Sequence, residues 1–89
     1  MHIIWDLEDE PGGNYQHIIE HDVSPEEVEE VLNNPANSTG TSRSSGQPIT
    51  FGWTSTGKHL AVIWELVEEE PRTAYPITAY PVPERRSRR

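Results

Sequence analysis

Hydrophobic and polar positions follow two periods along this chain, helical in the first third and strand-like in the second half. Ile3-Ile4-Trp5 predicts a short opening strand, and Asp9-Glu10-Pro11-Gly12-Gly13 a turn. Asn14 to His21 predicts a short helix with Ile18 and Ile19 as its apolar side. Val28, Val31 and Leu32 keep i, i+3, i+4 spacing and mark the buried face of a second helix over Ser24 to Leu32. Its start carries a strong signal. Ser24 suits the cap, Pro25 the first helical position, and Glu27 can reach back to the cap's own N–H in a capping box. Glu26, Glu27, Glu29 and Glu30 fill its solvent side, and Asn33-Asn34-Pro35 stops it.

From residue 37 on, the period is that of strands. Residues 37–43 predict a polar edge strand, and Ser44-Ser45-Gly46-Gln47 a turn. Ile49-Thr50-Phe51-Gly52-Trp53 alternates, with Ile49, Phe51 and Trp53 on one face. Lys58 to Val67 is apolar on both faces around Leu60 to Trp64, as expected of a central strand. Thr73 to Tyr80 predicts a last strand, which Pro76 assigns to an edge. Trp5, Trp53 and Trp64 each fall in a strand segment and are expected in the core. The order β-α-α-β-β-β-β implies one α+β domain over residues 1–82, two helices on one face of an antiparallel sheet. Residues 83–89 form a basic tail, expected to be disordered.

Charge narrows the function. The 89 residues carry a formal net charge of −8 and no cysteine, which removes disulfides and thiolate zinc sites. Four of the seven basic residues are Arg85, Arg86, Arg88 and Arg89, so residues 1–84 hold three cations against fifteen acids, a balance of −12. Such a body repels nucleic acid at long range and attracts a basic partner. No signal peptide or membrane-spanning run is visible, so a cytoplasmic protein is expected, and its small core leaves room for a homodimer.

Several residues bear on chemistry. His17-x-x-Glu20-His21 has the order of inverted zinc proteases, with the histidines four apart on one helical face. Two histidines and an off-register Glu are an incomplete zinc set, so no metal or other cofactor is expected. Arg43, Lys58, His59 and Arg72 are the scarce cationic or titratable groups of the sheet half. They suit binding and polarising a phosphodiester, or pairing with the many carboxylates. Tyr75 and Tyr80 suit either amphipathic packing or stacking on a base.

Trp5-Asp6, then Glu20-His21-Asp22-Val23-Ser24-Pro25-Glu26-Glu27-Val28, then the closing Ile77-Thr78-Ala79-Tyr80 together resemble the BrnT toxins, RelE-like ribonucleases of type II toxin–antitoxin systems. The family opens on Trp-Asp, carries a Lys-His-Gly-Val-Ser/Asp-x-x-Glu-Ala turn between helices and closes on Ile-Ile-Ser-Ala-Arg. The resemblance implies a compact α+β fold, metal-independent RNA cleavage, action on RNA or the ribosome, and a cognate antitoxin. His21 matches the family's histidine. Glu20 stands for its Lys, Asp22 for its Gly and Tyr80 for its Arg, changes that remove cations. On this reading Arg43 and Lys58 stabilise charge on phosphate, His21 or His59 carries the proton, and Tyr80 positions substrate. The rival reading is a non-catalytic acidic module that binds a basic protein.

Overall fold

A computed structural model describes residues 1–83, so the basic tail, from Glu84 on, lies outside the described residues. The elements are β1 (His2–Ile3), α1 (Asn14–Glu20), α2 (Pro25–Asn33), β2 (Ser38–Thr41), β3 (Pro48–Trp53), β4 (His59–Glu69) and β5 (Arg72–Pro81). The strands form one sheet in the order β1-β5-β4-β3-β2. The α+β arrangement is the expected one, but the sheet is mixed. β2 to β5 pair antiparallel, as hairpin-linked neighbours do, whereas β1 runs parallel to β5 through His2–Thr73 and Ile3–Ala74. Nearly the whole chain separates β1 from β5, so no tight turn imposes an antiparallel pair.

Both helices cover one face. Ile18 of α1 and Val28, Val31 and Leu32 of α2 pack with Leu60, Val62 and Trp64 of β4 and Ala74 and Ala79 of β5 in one buried cluster. The capping box forms as expected. The Glu27 N–H donates to Ser24 Oγ at 3.2 Å, and the Ser24 N–H donates to Glu27 Oε1 at 3.0 Å. Trp5-Asp6 ties the layers together. The Trp5 indole donates to Glu29 of α2 at 2.8 Å. The Asp6 carboxylate accepts from the Asn14 N–H at 2.9 Å and from the Tyr75 hydroxyl at 2.6 Å.

β5 departs from expectation. Pro76 does not lie on an edge strand, because β5 sits between β1 and β4. The proline is tolerated because β1 has ended by then. The last ladder bond to β1 runs from the Ile4 N–H to the Ala74 carbonyl, and the next carbonyl on that side, that of Pro76, accepts from the Asn14 amide at 2.9 Å. The register to β4 then slips by one residue, Trp64 pairing with Pro76 but Ile63 with Thr78. Ile77 is the extra residue of this bulge. Ala74, Pro76 and Ala79 therefore all reach the buried side despite their odd spacing.

The tryptophans also divide. Trp64 is buried, with its indole donating to Thr50 Oγ1 at 3.0 Å. Trp5 is half-buried against the core, outside any strand. Trp53 is not core at all, with 49% of its surface exposed. It shares a face of β3 with Ile49 and Phe51, as alternation predicts, but that face is the one the helices leave uncovered.

Candidate functional site

Gly52 determines which way β3 presents its aromatics. On the helix side, the Asn37 side-chain amide occupies the space that a β-carbon at Gly52 would need. Asn37 is held there by a 2.9 Å bond from its amide to the Val31 carbonyl at the end of α2. No side chain fits at that point, and Phe51 and Trp53, on either side, face outward. Across the open face, Ala61 is paired with Phe51 on one side and Tyr80 on the other, and His59 is paired with Trp53. Phe51 and Tyr80 are about two-fifths exposed, while the small Ala61 between them is fully buried. The His59 ring stacks on Trp53 at 4.6 Å between centroids and 11° between planes. His59 Nδ1 is the one buried side-chain nitrogen or oxygen without a hydrogen-bond partner among the described residues.

Lys58 and His21 lie at the same end of the sheet. Lys58 Nζ donates to the Asp22 carbonyl at 2.7 Å and pairs with Glu27 Oε1 at 3.2 Å. It thus braces the turn between α1 and α2. Burial alone would raise the Glu27 pKa, but the Ser24 N–H and the Lys58 ammonium outweigh it and hold the carboxyl below its usual range. Asp22 adopts a left-handed conformation, φ 65°, which ends α1 and aims its carbonyl at Lys58. His21 caps α1, and its Nδ1 lies 3.1 Å from the Ala79 carbonyl. A carbonyl only accepts, so Nδ1 carries the proton in this bond, and Nε2 is the basic nitrogen of the neutral ring.

Four of the five candidate residues, His21, Lys58, His59 and Tyr80, are therefore brought to the end of the sheet where β4 begins and β5 closes. Arg43 is not. It is exposed in the β2–β3 turn, at the other end of β3, a six-residue strand that spans roughly 17 Å. Arg72 is also separate, with its guanidinium 5.8 Å from the centre of the Trp64 ring. The rings of His17 and His21 lie 4.7 Å apart, and no group of three or more His, Asp or Glu side chains able to hold a metal forms among the described residues. Nor is any helix among them long and apolar enough to cross a membrane.

Phe51 and Trp53 belong to this open face, whereas the sequence predicts Trp53 in the core and gives neither ring a functional role. The signal was present in Gly52, whose position between two aromatics marks a crowded opposite face. No protein-family model, curated protein or solved structure matches this chain.

Proposed function

We propose that this protein is a toxin-like endoribonuclease of a type II toxin–antitoxin system, or a diverged descendant, working from the open face of its sheet. The observation that carries this reading is the gathering of His21, Lys58, His59 and Tyr80 at one end of that sheet, beside the exposed rings of Phe51 and Trp53. The rings give single-stranded RNA a surface on which bases stack. The 2′-hydroxyl attacks the adjacent phosphorus as His59, the histidine on the open face, takes its proton. The P–O5′ bond breaks as the protonated ring returns that proton to the leaving oxygen. The products are a 2′,3′-cyclic phosphate and a free 5′-hydroxyl. Lys58 offers charge to the phosphate, shared with Glu27, and Tyr80 positions the ribose. Arg43, at the far end, serves a distal phosphate, so Arg43→Ala weakens RNA binding more than the chemical step.

The test is digestion of RNA by purified protein, with and without ribosomes and with EDTA throughout. Cleavage to cyclic-phosphate ends, lowered on the order of a hundredfold in His59→Ala, is the expected result. No cleavage under either condition, together with no slowing of growth on expression, overturns the reading.

One observation favours the second reading, an acidic module that binds a basic partner. Through residue 83 the chain has three cations against fourteen acids, and the one ion pair among the described residues consumes Lys58.

A further inference from the structure

Two hollows flank the outer side of α1 and meet on the same two side chains. One, of about 410 Å³, opens between α1 and the start of α2, with Tyr15, Ile19, Val23 and Pro25 among its lining. The other, of about 210 Å³, lies on the Glu8 side and is also lined by Tyr15 and Ile19. Ile19 is 47% exposed, although it belongs to the helix's apolar pair. Its neighbour Ile18 is fully buried, so α1 already contributes to the core without it. The two hollows adjoin at Tyr15 and Ile19, which give the groove they make together its apolar strip of floor.

The walls of that groove are acidic. Glu8 and Glu20 line one end and Asp22 and Glu26 the other, and none of the four takes part in an ion pair among the described residues. The single cation lining the groove, Lys58, is held by Glu27. An apolar floor between unpaired carboxylates is complementary to a segment that offers an aliphatic side chain between Lys or Arg residues.

We infer that the α1 groove is the docking site for a basic, aliphatic-anchored segment of a partner protein, with the anchor seated on Ile19 and Tyr15. The inference rests on the second reading above and gives that partner a place. It leaves the aromatic sheet face free, while Lys58, which lines the groove, borders both surfaces.

The probe is a short synthetic peptide of leucine and arginine, titrated into the full chain and followed by backbone amide resonances. A matched peptide of leucine and glutamate is the control. The expected result is a set of shifts centred on Tyr15, Ile19, Val23 and Glu26. Affinity should fall about tenfold or more from low to high salt, because exposed charge pairs are screened. Ile19→Arg puts a cation on an exposed position of the floor and should weaken binding at least tenfold. Glu20→Lys should weaken it less. Thermal denaturation and the amide spectrum show that each variant is folded. No binding, equal binding of the acidic peptide, shifts centred on Phe51, Trp53 and Tyr80, or unchanged affinity in a folded Ile19→Arg each overturn the inference. RNA cleavage measured on the same Ile19→Arg protein keeps this outcome distinct from the fate of the ribonuclease reading, because Ile19 lies outside the sheet face.

Discussion

The two faces of this sheet are built from the same strands and differ in almost every other respect. The covered face is mostly aliphatic, with Leu60, Val62, Ala74 and Ala79 fully buried beneath the helices and the Trp64 ring beside them. Its polar groups are paired, as in the chain from the Trp64 indole to Thr50 and on to Thr39 at 2.6 Å. The open face is aromatic and half-wet, and it carries the unpartnered His59 nitrogen. Burial is concentrated on one side and exposed aromatic surface on the other. Adjacent residues of a single strand, Leu60 and His59, fall on opposite sides of that division.

The strongest way to break the comparison is to exchange those two roles. Leu60→Ala should destabilise the protein by about 2–5 kcal/mol, as large-to-small changes in a packed core do. His59→Ala, one residue away, should stay within roughly 1 kcal/mol of the parent in urea denaturation. If His59→Ala is as destabilising as Leu60→Ala, the open face is a second core and not a working surface.

A smaller effect is expected at the helix junction. Ser24→Ala removes the capping bond to the Glu27 N–H and should lower stability by about 1 kcal/mol. Equal denaturation midpoints in mutant and parent would show that the box contributes nothing.

The bond from Tyr75 to Asp6 sharpens the comparison through pH. The Tyr75 hydroxyl, followed by the Asn14 N–H, holds the Asp6 carboxyl below its usual 3.8. The same bond, helped by burial, pushes Tyr75 up to about 12. A depressed carboxyl stabilises the fold above its unfolded pKa, and this is lost as pH falls through the folded value. A raised phenol stabilises it below the unfolded value of 10, and this is lost as pH rises towards about 12. Tyr75→Phe should therefore be less stable than the parent across the middle pH range and converge with it at both extremes. Thermal midpoints taken across that range test this. A constant difference at all pH values would place the loss in packing.

The smallest effect has the opposite sign. Asp22 holds a positive φ that glycine adopts without strain, so Asp22→Gly should stabilise by about 0.5–1 kcal/mol. Its carbonyl still accepts from Lys58, since that contact is made by the backbone. A lower midpoint would mean that the Asp22 side chain itself supports the turn.

Both helices were legible because their signals are local. Ser24, Pro25 and Glu27 sit within one turn of each other, and Val28, Val31 and Leu32 share a stripe. The place of β5 was not legible, because what tolerates Pro76 is distant in sequence. It depends on β1 ending early and on the Asn14 amide arriving from α1. The exposure of Trp53 was hidden for a related reason. Alternation tells which residues share a face, but which face the helices cover is decided by contacts such as Asn37 over Gly52. Of the candidate site, Lys58 and His59 stand out by their chemistry, and His21 and Tyr80 by the family resemblance as well. The separation of Arg43 emerges only from the hairpin geometry, and Lys58's bond to Asp22 links residues thirty-six apart.

The extra residue at Ile77 acts as a phase shift in the reading of β5. Upstream of it, even-numbered positions face the helices, and downstream the odd-numbered ones do. Deleting that one residue would leave composition, charge and every motif of the chain nearly untouched. It would also remove the bulge and let Thr78 follow Pro76 directly, so that plain alternation still carries Ala79 inward opposite Val62 and Tyr80 outward opposite Ala61. The orientation of the closing tyrosine is therefore held by its pairing with Ala61 and survives a change in the count of residues before it, so a β5 shortened at Ile77 would still present Tyr80 on the open face.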